Sequence, residues 1–194
     1  MVDTPSDVDE LIDEFVARIN RRGLPPELCE DVPASLNPVS ISPGDPGVCT
    51  WQIIRANTSG LAAQVEHRIG SALPLPYASL INRYVFLPFA VADLELFGNA
   101  GTQYRDVSRT PFETSHLFHF LLENGYVRFA APAGDADQDY ICFDLNRMSP
   151  THDCPVVKID HEDYHLRSRL RVISQLVPCF LELVRKVVSQ PTAN

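Results

Sequence analysis

Apolar positions recur at helical spacing over residues 7–22, where Leu11, Ile12, Phe15, Val16 and Ile19 form one stripe. Ser6 is placed to cap this helix. Asp7, Asp9 and Glu10 suit its first turn, and Arg18, Arg21 and Arg22 suit its last. Gly23 marks the stop. The periodicity then breaks. The stretch "LPPELCEDVPASLNPVSISPGDPG" holds six of the chain's 16 prolines. Proline removes a backbone donor and resists helix, so an extended, irregular arm or linker is expected here. Trp51, with Ile53 and Ile54 behind it, is expected to pin the arm's end to a core. The chain thus divides into an N-terminal helix and Pro-rich arm over 1–50 and a domain over 51–190.

Within 51–190 the pattern alternates between two periods. Residues 59–69 read as a helix with Leu61, Val65 and Ile69 on one face and Gly70 at its end. A second helix follows Pro76, with Tyr77, Leu80, Ile81 and Tyr84 spaced for burial. "ADLELFG" alternates and reads as a strand. In "TPFETSHLFHFLLENGY", Thr110, Pro111 and Glu113 spell a capping box. Phe112, Leu117, Phe120 and Leu121 give the apolar face, and Asn124-Gly125 gives the end. Strands are expected over 126–131, 140–145 and 156–160. Their connections are too short for helical crossovers, which leaves an antiparallel meander. A last helix is expected to carry Ile173, Leu176, Val177, Phe180, Leu181, Val184 and Val188, with Pro178 in its first turns or kinking it. Helices, then strands, then a helix predict an α+β fold: an antiparallel sheet flanked by helices.

Composition narrows the function. A chain of 194 residues with 45% apolar and 21% charged residues reads as one globular domain. No apolar run approaches a membrane span, and the acidic N-terminus "MVDTPSDVDELIDEF" is unlike a signal peptide. The five cysteines are odd in number and form no C-x-x-C, so a reducing cytoplasm is expected and a disulfide framework is not. A net charge of −9 disfavours nucleic acid and anionic membranes and favours a basic partner.

One short motif invites enzymology. His161, Glu162 and His165 spell H-E-x-x-H, whose histidines on a helix face hold zinc while the glutamate activates water. Here the motif follows a strand, Asp163 lies inside it, no histidine follows His165, and Glu182 is the only later glutamate. A metal at His161 and His165 is therefore rejected. Asp135, Asp137 and Asp139 copy the start of a calcium loop, but Tyr140 stands where glycine is needed and Asn146 where glutamate is needed. That leaves a solvated turn. His116 and His119 have no sequence-linked cluster, and Ser79, Ser168 and Ser174 lie in no nucleophile motif. Neither an enzyme nor a cofactor is expected.

The segments "EHRIGSALPLPYASLINRYVF", "LELFGN", "LLENGYVRFAAPAGDADQDYICFDLN", "CPVVKIDHE" and "FLELV", in that order, resemble the SUKH superfamily. This is the Smi/Knr-type group of cell-wall-assembly regulators and bacterial immunity proteins. The resemblance spans roughly Trp51 to Val188. It implies an antiparallel sheet flanked by helices, no catalytic residues, and binding and occlusion of a cognate toxin, often a basic nuclease. On this reading the turn Asp135, Asp137 and Asp139 docks the partner together with Glu162 and Asp163, provided both lie on one edge. Asp144 and Asp160 could instead cap turns. The alternatives are a scaffold or regulatory adaptor and, more remotely, a zinc hydrolase through His161, Glu162 and His165.

Overall fold

Helix α1 (Pro5–Arg22) begins two residues earlier than Ser6 would place it. Thr4 is the cap: its hydroxyl accepts the Asp7 N–H at 3.3 Å, and the Asp7 carboxylate accepts the Thr4 N–H at 2.8 Å. Pro5 suits the first turn, where its missing donor costs nothing. The expected stripe is buried through Ile12, Phe15, Val16 and Ile19, joined by Val8. Gly23 ends the helix at φ 79°, a conformation that favours glycine. The computed structural model describes residues 4–42, 45–56, 60–101, 106, 116–134, 138–163 and 169–191.

The Pro-rich arm is more ordered than its composition suggests. Strands β1 (Glu27–Leu28), β2 (Val39–Ser42) and β3 (Asp45–Thr50) form an antiparallel sheet in the order β1-β3-β2. This corrects the expected irregular segment. Pro25, Pro26, Pro33 and Pro38 fall outside the strands, where no ladder donor is needed. The arm is tied at both ends. The Trp51 indole N–H donates to the Pro25 carbonyl at 3.2 Å. Asn20 on α1 exchanges two hydrogen bonds of 2.9 Å with the Ile53 backbone. Trp51 and Ile53 are buried as expected.

Beyond the arm, β4 (Ile54–Arg55) pairs with β5 (Tyr84–Val85). Between them lie α2 (Leu61–Ile69), ended by Gly70, and α3 (Leu75–Arg83), with Pro76 in its first turn. The main sheet contains β6 (Phe89–Val91), β7 (Leu94–Leu96), β8 (Tyr126–Pro132), β9 (Tyr140–Asp144), β10 (Val156–Ile159) and β11 (Val172–Val177). Every strand pairs antiparallel with its neighbour in the chain, so the meander is complete. Helix α4 (His116–Glu123) precedes β8. The capping box at Thr110, Pro111 and Glu113 lies outside the described residues.

In the main sheet two strands differ from expectation. β6 is only three residues long and shows too little alternation to declare itself. β11 occupies 172–177, where the last helix was expected to begin. Helix α5 starts only at Phe180 and runs to Ser189. The apolar spacing of Ile173, Leu176 and Val177 fits a helix. However, Pro178 cannot donate within one, and β-branched Val172, Ile173 and Val177 pack well in a ladder. The strand ending in "VVKI" is therefore the sheet's fifth, with β11 outside it as the edge.

Alternation along β9 and β10 divides the core. Ile141, Phe143 and Val156 face a large cluster shared with α1, α3 and α5, and Tyr140, Cys142, Val157 and Ile159 face a smaller one with Leu121 of α4. The α+β fold is thus an antiparallel sheet with helices on both faces. α1 contributes to the same core as the sheet. No described helix is long and apolar enough to cross a membrane.

Candidate functional site: an acidic corner at the sheet edge

The register Ile159↔Tyr140 sets the next residue outward on each strand side by side, Asp160 after β10 and Asp139 before β9. Two carboxylates at adjacent positions repel unless they are engaged. Asp139 Oδ1 accepts the His161 backbone N–H at 3.1 Å and lies 3.2 Å from the His161 ring Nδ1. Lys158 Nζ lies 3.1 Å from its other oxygen. Asp160 works differently: its Oδ1 accepts the N–H groups of Glu162 and Asp163 at 2.9 and 3.1 Å. That is an N-cap, and residues 161–163 form the helical turn it starts. Arg171, at the start of β11, reaches Asp160 at 3.7 Å and Asp163 at 3.8 Å. Backbone bonds Asp160 N–H to Arg171 O and Arg169 N–H to Asp163 O close the connection from β10 to β11.

The structure therefore brings Asp139, Glu162 and Asp163 onto one edge. Asp135, Asp137 and His165 lie outside the described residues. The three that are placed are not equivalent. Asp139 is half-buried, Asp163 is buried, and Glu162 is exposed. Glu162 is the carboxylate most available to a partner. The sequence showed these charges but could not show their counter-ions. Lys158 and Arg171 join the corner only through strand register and the existence of β11.

Ligand atoms of Asp139, Asp160 and His161 fall within 4.8 Å of one another. Lys158 and His161 engage Asp139, and the cap engages Asp160 Oδ1, so the grouping is described by these contacts as a salt-linked turn. A cleft of about 230 Å³ lies elsewhere, lined by Arg55, Ala56, Asn82 and Arg83. Its two arginines pair with Asp13 of α1, and Arg83 also with Asp9.

Beside the corner, β11 pairs with β10 on one side and meets no other described strand on the other. Val172 and Ile173 are 40% and 45% exposed. The β10–β11 ladder carries two register shifts, which twist and shorten an edge available for pairing. No family model matches the chain, and no curated protein matches it.

Proposed function

We propose that this chain is a non-enzymatic, protein-binding domain of the immunity type, acting in the cytoplasm by occluding a basic partner such as a nuclease toxin. One observation carries the reading: the acidic corner and the exposed, one-sided strand β11 adjoin. Exposed Val172 and Ile173 supply apolar area, and Glu162 supplies an unburied charge next to it. Interfaces combine an apolar centre with a charged rim, and rim charges mainly steer association. The net charge of −9 favours the same class of partner. The resemblance to the SUKH superfamily calls for an antiparallel sheet flanked by helices, and the observed fold is of that kind.

The test is co-expression with any toxin encoded by a neighbouring gene, coupled to calorimetric titration. Rescue from killing and tight binding are expected. Glu162→Lys is expected to slow association about tenfold, and more at low salt, while leaving thermal stability unchanged. No rescue and no binding by any neighbouring toxin sinks the proposal. The adaptor reading draws on a different surface: Leu28, Val39, Ile41 and Val48 stay exposed on the arm's sheet. Binding that survives Glu162→Lys and Ile173→Glu but is lost in Val39→Asp points there instead.

A further inference from the structure

The arm's sheet also places two thiols together. The register Glu27↔Cys49 and Leu28↔Val48 continues into a 3.1 Å bond from the Cys29 N–H to the Gly47 carbonyl. Cys29 and Cys49 therefore project from the same face on a strand diagonal, a separation of about 7–8 Å that a disulfide closes only if the turn at Cys29 moves inward. Cys29 is near enough to Cys49 to help push its thiol up. β1 ends at Leu28, so Cys29 lies in the turn that follows, joined to β3 through its backbone bond to Gly47. The two differ in access: Cys49 is fully buried, whereas Cys29 is half-exposed. Burial, Cys29 and Glu27 all push the Cys49 thiol up, so Cys49 is a poor first nucleophile.

We propose that Cys29 and Cys49 are an oxidisable dithiol, which a small-molecule disulfide converts to an intrachain bond clamping β1 to β3. Cys29, as thiolate, attacks one sulfur of the oxidant. The oxidant's S–S bond breaks, and one thiol leaves carrying a proton. Cys49 then loses its proton and attacks the Cys29 sulfur of the mixed disulfide, expelling the second thiol. Two protein sulfurs are oxidised and two oxidant sulfurs reduced. The bond closes the segment that contains β2 and most of β3, so the arm gains a covalent staple at its base. The inference does not depend on the proposed function.

The test uses the full chain with oxidised glutathione, followed by alkylation, trypsin and mass analysis. No Lys or Arg lies between Arg22 and Arg55, so one tryptic peptide, 23–55, holds both cysteines and no others. The expected result is that this peptide becomes two hydrogens lighter and takes no alkyl group, while Cys142, Cys154 and Cys179 remain alkylated. Protease cuts within the arm are expected to slow in the oxidised protein, and Cys29→Ser to abolish both changes. The proposal is overturned by a doubly alkylated 23–55 peptide after oxidation. A stable glutathione adduct at Cys29 without closure, a link between Cys154 and Cys179, or interchain dimers alone overturn it equally.

Discussion

Tyr77 of α3 is fully enclosed, and among the described residues its hydroxyl has no hydrogen-bond partner. The ring meets Phe129, Phe143 and Phe180 edge-on at centroid distances of 5.4, 5.0 and 5.4 Å. Burial, and then Asp106, push the phenol far above its ordinary range. A buried polar group left unpaired costs about 1–3 kcal/mol, and removing it while keeping the ring recovers part of that. Tyr77→Phe is therefore expected to stabilise the protein by about 1 kcal/mol, seen as a higher denaturant midpoint at unchanged slope. A loss of stability contradicts the orphaned hydroxyl. The sequence spaced Tyr77, Leu80, Ile81 and Tyr84 for burial, and all four are buried. The missing partner was not legible, because it depends on three phenylalanines brought in from distant strands and from α5. The same limit applies to Glu162 and Asp163: their charges are local facts, and their neutralisation is not.

At the scale of elements, α5 shows why the last helix was drawn too early. Its first N–H groups are not capped locally. Asp153, in the connection before β10, accepts the Phe180 N–H at 3.1 Å and the Leu181 N–H at 2.9 Å. It also accepts the Cys154 N–H at 2.8 Å and is itself buried. A helix start defined from so far along the chain leaves no signature beside it, and the apolar spacing of the preceding strand then reads as an extra turn. Asp153→Ala strands three buried donors. It is expected to cost about 2–4 kcal/mol in a chemical-denaturation experiment, with Asp153→Asn losing less because one oxygen remains. Elements with local signals fared better. α2 with Gly70, α3 with Pro76 and the strands β8, β9 and β10 lie within a few residues of their expected bounds. The arm's sheet was hidden because prolines crowd its short strands, Pro25, Pro26, Pro33 and Pro38 outside them and Pro46 within β3.

At the scale of the molecule, α1 is held to the rest by a polar seam. Asp13 receives the Tyr84 hydroxyl at 2.5 Å and pairs with Arg83 and Arg55, while Asp9 receives the Ser79 hydroxyl at 2.5 Å. Partial burial raises the Asp13 pKa, but Tyr84, Arg83 and Arg55 outweigh it and the net shift is downward from 3.8. The folded value lies below the unfolded one, so this contribution is present above the unfolded pKa and is lost as pH falls through the folded value. Below pH about 4 the melting temperature is expected to fall more steeply for the wild type than for Asp13→Asn, which lacks the titrating group. Parallel curves would remove Asp13 from the seam.

The meander has a further consequence, in the order of events along the folding path. The pairs β6–β7, β8–β9, β9–β10 and β10–β11 join strands close in the chain, and such contacts form early because little loop entropy opposes them, whereas β7–β8 closes across α4. The packing of α1 against α5 is the opposite case. There, Arg18 bonds the Gln190 carbonyl across a separation of 172 residues, and Arg22 bonds the Gln190 side chain. That closure rewards the chain only after the sheet has brought its two ends near each other. α1 is thus the piece that locks last and opens first, and its release uncovers Ile12, Phe15 and the inner face of α5 without undoing a single strand.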